Sequence, residues 1–344
     1  MRIQSIDTLK GLAILSVVII HTEPFLAIPQ IKVHWYYLGQ ILQQTSSFAV
    51  PFFFVSAGYF YSKGLTNDGL ASRWRKYVTK LALALAVWIL IDAFFGNHWL
   101  AQLREAGSIK PLIWNLLAVP SFAAHSPDLF FFRGTAVPLW FLVSLIASIS
   151  ILTLCIHFDI RPIVIFAMGF IAYVLCLLVD NYSGTNIGLG MHVPLEQRGP
   201  LIAFAFLSAG HLLAFSKMPN QNIASLLVAS TAMMFVETMA LSAYFHVPFL
   251  ERPYLFSTFP LAISLFLFAA SNPTLGAEHI ISKIGKRSLG VYLAHTPVLG
   301  GLSEIRSLFV HPIWEISFPI LVLICSYAVV LLILKLPFLR TTIQ

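Results

Sequence analysis

The sequence predicts an all-helical, multi-pass membrane protein, and its composition is the first observation that indicates this class. Of 344 residues, 58% are hydrophobic and 10% are charged, and the mean hydropathy is +0.84. An ordinary soluble domain carries about 25% charged residues. Apolar stretches of roughly 17 to 25 residues recur along the chain, long enough to cross a hydrocarbon core of about 30 Å. We expect one integral-membrane domain over residues 1–344, without a separate soluble domain.

About ten transmembrane helices are predicted from these stretches. The predicted segments are 9–28, 46–62, 79–96, 136–157, 162–180, 199–216, 222–245, 255–271, 288–308 and 314–335. Residues 97–135 break the pattern, because Pro111, Pro120 and Pro127 divide this part into short apolar pieces. We therefore interpret it as an outer loop with a re-entrant or interfacial segment, in preference to a clean crossing.

The distribution of basic residues indicates the orientation of the helices. If the N-terminus is cytoplasmic, fourteen of the 21 Lys and Arg residues fall in cytoplasmic segments, which is the bias of the positive-inside rule. We expect both termini in the cytoplasm and the protein in the cytoplasmic (inner) membrane. The net charge of +7 then reflects topology, and no nucleic-acid partner is predicted.

The first predicted helix carries three titratable side chains. In the stretch LKGLAILSVVIIHTE, Lys10 and His21 are eleven residues apart. A helix turns 100° per residue, so the two share one face within about 20° and lie about 16 Å apart along its axis. Asp7 is within reach of Lys10. An imidazole at the depth of His21 must face protein or water. Two interpretations of His21 follow. It is either a functional group, or it is a packing residue and Lys10 merely extends to the lipid headgroups.

Four motifs, in order along the chain, resemble the acyltransferase-3 family of membrane enzymes that acylate cell-envelope sugars. They are Asp7-Thr8-Leu9-Lys10-Gly11 with His21, Val50-Pro51-Phe52-Phe53-Phe54-Val55 with Gly58-Tyr59, Pro138-Leu139-Trp140-Phe141-Leu142, and Ser288-Leu289-Gly290-Val291-Tyr292-Leu293-Ala294-His295. The resemblance covers nearly the whole chain. Three positions depart from it, because Lys10 replaces the common arginine, Ala57 stands where serine is usual, and Pro138 stands where histidine is common.

The resemblance implies acyl transfer from acyl-coenzyme A, which acts as the donor substrate. We expect acetyl-coenzyme A as donor, a hydroxyl of a bacterial envelope polysaccharide or lipid-linked glycan as acceptor, and no bound cofactor or metal. Such a hydroxyl attacks a thioester far better when a base removes its proton, so we predict His21 as the general base. An acyl-histidine intermediate remains an alternative. Lys10 and Asp7 complete the predicted catalytic set.

Basic residues near the third predicted helix are candidates for binding the donor, because coenzyme A carries several phosphate charges. Arg73, Arg75, Lys76 and Lys80 supply positive charge at the cytoplasmic side. The Arg73/Arg75 pair also resembles an Arg-x-Arg element of the family. Positive-inside topology alone would place basic residues here as well, so both interpretations stay open.

Four further residues are candidates for a pocket. Glu237 lies in the middle of a predicted span, where an acid is a functional hypothesis by default. His295 ends the last motif, Trp140 lies in the third, and Ser56 is the candidate for the hydroxyl displaced by Ala57. A packing role stays open for each of them. The competing function is a proton-coupled secondary transporter of a small solute or glycan precursor, which intramembrane His and Glu also suit, although no repeat relates the two halves.

Overall fold

The computed structural model describes residues 3–26, 33–66, 69–217, 222–245 and 254–343. Helix accounts for 81% of the structure, and no strand occurs in these ranges, so the predicted all-helical class is confirmed. The α-helices are α1 Gln4–Thr22, α2 Val33–Ser46, α3 Ala49–Lys63, α4 Leu70–Phe95, α5 Trp99–Ala106, α6 Lys110–Leu117, α7 Val119–His125, α8 Pro127–Arg133, α9 Trp140–His157, α10 Pro162–Cys176, α11 Leu195–Phe215, α12 Ile223–Phe245, α13 Thr258–Ser271, α14 Ile280–Gly285, α15 Ser288–Ser307, α16 Pro312–Ile333 and α17 Pro337–Ile343.

Seven helical segments among the described residues are long and apolar enough to cross a membrane. They are Gln4–Thr22, Leu70–Phe95, Val137–His157, Pro162–Asn181, Leu195–Phe215, Ile223–Tyr244 and Pro312–Ile333. A polytopic helical bundle is therefore confirmed. The seven helical segments are the candidates for its membrane crossings. The predicted count of ten remains a prediction, since the segments 46–62, 255–271 and 288–308 form α3, α13 and α15, which fall outside these seven.

The first helix differs from its predicted limits at both ends. It begins at Gln4, before the apolar run, and ends at Thr22, two residues before Pro24. The residue that precedes a proline disfavours helical angles, and Glu23 takes a left-handed conformation with φ of 46°. Residues 27 and 28 of the predicted span, and Arg2 of the charge count, lie outside the described residues.

Residues 97–135 form four short helices, α5 to α8, of seven or eight residues each. Eight helical residues extend only about 12 Å, which is too short to cross the hydrocarbon core. The prolines that predicted an interruption, Pro111, Pro120 and Pro127, each lie in the first turn of a helix. Proline is tolerated there, because that turn has no intrahelical partner for the missing N–H. The structure thus agrees with the expectation that this part does not form a simple crossing.

Contacts group the chain into two compact units. The first contains Met1–Ala13, Gln43–Val78 and Ser144–Lys286, and the second contains Ile14–Leu42, Thr79–Val143 and Arg287–Gln344. Each unit has buried apolar side chains of its own, such as Phe54 and Phe206 in the first and Trp88 and Phe318 in the second. The single domain predicted for the chain stays a prediction.

Helices α3 and α11 of the first unit pack closely, because glycines let their backbones approach. A Cβ atom at Gly58 would overlap the carbonyl oxygen of Leu207, and one at Gly210 would overlap that of Val55. Small residues at helix crossings are the usual means of close packing in membrane proteins. The second unit is organised around α15, which packs against α16 and α5.

Candidate active site

A cavity of about 330 Å³ lies within the second unit, and polar groups of several helices line it. Its size is at the small end of the range for ligand pockets, about 300–1,000 Å³. The charged and titratable lining side chains are those of His21, Asp92, Arg133 and His295. The other lining residues are Gly96, Asn97, Thr135, Ala136, Val137, Pro138, Thr296, Pro297 and Leu299.

The two imidazoles of the cavity lie side by side, although they are 274 positions apart in the sequence (295 minus 21). The ring centroids of His21 and His295 are 5.1 Å apart, and the ring planes are inclined by 37°. His21 is in the last turn of α1 and His295 is in α15. The structure therefore brings together the predicted base and one of the predicted pocket residues.

The turn that follows His21 is held by a buried ion pair. This α1 turn, Glu23–Phe25, contains two residues with left-handed angles, Glu23 at φ 46° and Phe25 at φ 65°. The fully buried Glu315 carboxylate accepts a hydrogen bond from the Phe25 backbone N–H at 2.8 Å. Arg306 Nη2 donates to the same carboxylate and to the Glu23 carbonyl, both at 3.0 Å. Three polar contacts thus hold the turn that follows His21.

His295 has one ring nitrogen whose protonation is set by its neighbour. Its Nδ1 is hydrogen-bonded to the carbonyl oxygen of Tyr292. A carbonyl only accepts, so Nδ1 carries the proton and Nε2 of the neutral ring is an acceptor. That Nε2 is buried and has no partner among the described residues. The Tyr292 hydroxyl in turn donates to the carbonyl of Pro138, which holds α15 at the wall of the cavity.

Asp92 is a cavity residue that sequence reasoning missed. It lies near the C-terminal end of α4, its side chain is buried, and neither carboxyl oxygen has a hydrogen-bond partner among the described residues. A signal for it existed in the sequence, because an acid inside an apolar run marks a functional site by default. The run LALALAVWILIDAFF contains that acid, so the criterion that points to Glu237 applies to Asp92 as well.

The end of α8 and the segment after it form another wall of the cavity, and the sequence offers two interpretations of Arg133 there, an acceptor-binding residue or an ordinary loop charge. Arg133, at the C-terminal end of α8, lines the cavity together with Thr135. The Thr135 hydroxyl donates to the carbonyl of Ile89 at 2.7 Å, which ties this segment to α4. Gly134 between them has φ of 59°, a left-handed conformation that glycine adopts without cost. Arg133 resembles an ordinary loop charge in the sequence, and only the fold shows where it lies.

Lys10 and Asp7 belong to the first unit, and neither is among the residues that line the cavity. Lys10 Nζ lies 5.2 Å from the centroid of the Phe60 ring, a cation–π arrangement. Asp7 is buried in the first turns of α1. Helix α1 is continuous from Gln4 to Thr22, so the predicted spacing of Lys10 and His21 on one helix face holds.

The four predicted donor-binding residues lie in the first half of α4 and differ in exposure. Arg73 is engaged within the protein, because its Nη2 donates to the Phe60 carbonyl at 3.0 Å and its guanidinium lies 5.0 Å from the Tyr77 ring centroid. Arg75, Lys76 and Lys80 are exposed. The donor-binding role of all four stays a prediction.

Three other predicted pocket residues are not part of the cavity lining. Glu237 accepts hydrogen bonds from the Tyr182 hydroxyl and from the backbone N–H groups of Phe256, at 2.9 Å, and Ser257, at 2.8 Å. It therefore connects α12 to the start of α13. Trp140 is buried at the start of α9, and the Ser56 hydroxyl is buried in α3 without a hydrogen-bond partner in the described part of the chain.

Comparison with known proteins identifies the family. The profile of the family described as Acyltransferase domain (acyltransferase 3) matches residues 3–335, essentially the whole chain. No curated protein and no solved structure matches the chain significantly. Among the described residues, no group of three His, Cys, Asp or Glu side chains is arranged to hold a metal ion. The match over nearly all of the chain and the seven apolar helices agree, and the chain belongs to the acyltransferase-3 family of multi-pass membrane proteins.

Proposed function

We propose that the protein transfers an acyl group, normally acetyl, from acyl-coenzyme A to a hydroxyl of a bacterial cell-envelope polysaccharide or lipid-linked glycan. The observation that carries the proposal is the pair of imidazoles, His21 and His295, in one cavity of a chain that belongs to an acyltransferase family. Acyl transfer to a hydroxyl needs a base beside the acceptor, and neutral imidazole is the side chain best suited to that task near pH 7.

His21 is the proposed general base, and His295 is the proposed positioning residue. The Nε2 of His295, which has no partner in the part of the chain that the structure describes, is a hydrogen-bond acceptor beside the His21 ring. When His21 donates its N–H to this acceptor, its other nitrogen keeps a lone pair for the acceptor hydroxyl. This is the same logic by which a second group selects the tautomer of a catalytic histidine. The hydrogen bond from His295 Nδ1 to the Tyr292 carbonyl keeps the proton on Nδ1, so His295 Nε2 stays available to accept the N–H of His21.

The reaction requires no group beyond the two substrates and the base. His21 takes the proton of the acceptor hydroxyl as its oxygen attacks the thioester carbonyl, which gives a tetrahedral intermediate and an imidazolium. The C–S bond then breaks, the ester of the acceptor forms, and the leaving thiolate takes the proton from His21 as coenzyme A is released. An acyl-His21 intermediate is the alternative, and it would appear as a covalent adduct on the protein.

The donor is proposed to approach along α4 from the cytoplasmic side. Arg75, Lys76 and Lys80 are exposed and carry charges that attract the phosphates of coenzyme A. Arg73 supports them by fixing the start of α4 on the Phe60 carbonyl. Lys10 is the proposed charge on the α1 face that leads towards His21. In this proposal the protein lies in the cytoplasmic membrane with both termini inside, in contact with membrane lipids.

The experiment is acyl transfer by purified protein in lipid nanodiscs. The protein is incubated with isotopically labelled acetyl-coenzyme A and a panel of envelope glycans and lipid-linked sugars, and products are detected by mass spectrometry. We expect one class of glycan to gain the labelled acetyl ester with release of coenzyme A. Reconstituted protein that moves a solute with a proton gradient, and gives no ester with any acceptor, would favour the transporter and contradict the proposal.

A further inference from the structure

Asp92 is a buried carboxyl group that the reaction described above leaves without a role. Only 5% of the residue is exposed, and neither Oδ1 nor Oδ2 has a hydrogen-bond partner among the described residues. Leaving a buried polar group unsatisfied is costly, and in native structures such a group needs an explanation. Asp92 lines the same cavity as His21 and His295. Its partner is therefore expected to be a molecule that enters the cavity.

The chemistry of the cavity restricts what this molecule is. Two carboxyl oxygens offer up to four lone-pair sites to hydrogen-bond donors. Arg133 lines the same cavity and presents only donors. A cationic ligand would be repelled by the Arg133 guanidinium, and an anionic ligand would bring a further charge beside a buried carboxyl group, where charge is costly. A hydroxyl group both donates and accepts, so a neutral molecule with several hydroxyls suits a cavity that is lined by both a carboxyl group and a guanidinium.

We propose that Asp92 is an acceptor-binding residue that selects a neutral sugar ring, accepting a hydrogen bond from a hydroxyl that neighbours the one to be acylated. This inference rests on the proposed function, because it assigns the cavity to the acceptor. The bonded hydroxyl determines the orientation of the ring, and the adjacent hydroxyl then faces His21. Asp92 thereby determines which position of the sugar reacts, and it disfavours acceptors whose ring carries a carboxylate.

The first test is a double-mutant cycle between Asp92 and the acceptor hydroxyls. Acetyl transfer is measured for wild type and Asp92→Asn with methyl glycosides of glucose, galactose and N-acetylglucosamine and with their monodeoxy analogues. Removal of one hydroxyl should lower wild-type kcat/KM by about 10- to 100-fold, the order expected when a buried carboxyl group loses its hydrogen-bond partner. The same removal should change kcat/KM of Asp92→Asn by less than about threefold.

The cycle has a matched control and a contradictory outcome. Asp159→Asn removes an equivalent carboxylate at an exposed position outside the cavity, and asparagine tolerates the left-handed φ of 52° found there. We expect wild-type kinetics from it. If Asp92→Asn instead lowers kcat/KM by one common factor for every acceptor and deoxy analogue, Asp92 does not contact a particular hydroxyl and the inference is overturned.

A second measurement uses the wild-type protein and follows binding instead of turnover. It therefore tests the inference even if Asp92→Asn does not fold or if simple glycosides are not acylated. Dicyclohexylcarbodiimide labels buried carboxyl groups, and mass spectrometry follows the labelling rates of Asp92 and of Asp159. Neutral methyl glycosides should slow the labelling of Asp92 several-fold, and glucosamine and glucuronate should not. An Asp92 rate that no neutral glycoside changes refutes the inference. Protection by a neutral glycoside, with no acyl transfer to any of the envelope glycans or lipid-linked sugars, would refute the proposed function and leave the sugar site intact.

Discussion

Replacing Glu315 with alanine should destabilise the protein by about 3 kcal/mol and reduce its turnover. The carboxylate is fully buried and is bonded to the Phe25 N–H at 2.8 Å and to Arg306 at 3.0 Å. An unsatisfied buried donor costs about 1–3 kcal/mol, and breaking a buried ion pair costs about 3–5 kcal/mol. Arg306 keeps 16% side-chain exposure and a second acceptor, the Glu23 carbonyl. We therefore expect a value at the lower end of the ion-pair range.

The effect on turnover follows from the position of the α1 turn. Loss of the Glu315 carboxylate frees the Phe25 N–H, and His21 is four residues before Phe25. A displacement of about 1 Å at a reacting group can lower the rate by about 100-fold. We expect kcat of Glu315→Ala to fall by this order, with a smaller change in the donor KM. Glu315→Gln keeps one acceptor oxygen and should retain more of both stability and turnover.

The assay has a matched control in the same unit. Glu304 pairs with Arg104 at the same distance of 3.0 Å, but the side chains of Glu304 and Arg104 are 29% and 70% exposed. Exposed pairs contribute about 0–1 kcal/mol, so Glu304→Ala should change the free energy of unfolding by less than about 1 kcal/mol. Both variants are compared by equilibrium unfolding in mixed micelles and by acetyl transfer. Equal stabilities for Glu315→Ala and Glu304→Ala would refute the reasoning from burial.

Three further predictions concern the donor, the helix packing and the topology. The double substitution Arg75→Gln and Lys76→Gln should raise the KM for acetyl-coenzyme A by about 3- to 10-fold, as expected for exposed charges, and an unchanged donor KM in initial-rate kinetics would contradict it. Gly210→Leu should prevent close packing of α3 and α11 and reduce the yield of monodisperse protein in size-exclusion chromatography, whereas wild-type yield would contradict the packing. In intact cells, an impermeant thiol reagent should label Glu105→Cys but not Ser72→Cys, and the reverse pattern would invert the topology.

The fold class was predictable because it depends on the solvent that surrounds the protein. A chain with 10% charged residues and repeated apolar runs has few ways to satisfy its backbone other than helices in a bilayer. The interruption at residues 97–135 was predictable for a different reason, because prolines such as Pro111 occupy the first turn of a short helix, a position that proline favours over the helix interior. Helix α3 shows the limit of hydropathy as a criterion. Its 15 residues pack against α11, and its length alone does not show whether it crosses the membrane.

The candidate site was predictable only in part, because tertiary packing decides which helices meet. His21 was identified from its depth in α1 and from the motif around it, but its proximity to His295 depends on how α1 and α15 are arranged. Glu237 shows the opposite case. An acid in a span suggested a pocket, and the structure instead pairs Glu237 with Tyr182 and two backbone N–H groups. Asp92 satisfies the same sequence criterion, and its carboxyl group in the cavity has no hydrogen-bond partner within the described ranges.

The most direct test of acyl transfer at His21 is the rate of labelled acetyl transfer by purified His21→Ala protein. We expect the rate to fall by about 10²- to 10⁴-fold, the usual contribution of a general base, with expression and unfolding behaviour retained. His211→Ala is the matched control, since His211 is a buried histidine of α11 bonded to Ser62 in the other unit. It should keep most of the activity of correctly folded protein. Wild-type turnover of a verified sugar acceptor by folded His21→Ala would contradict the account and make His21 a packing residue.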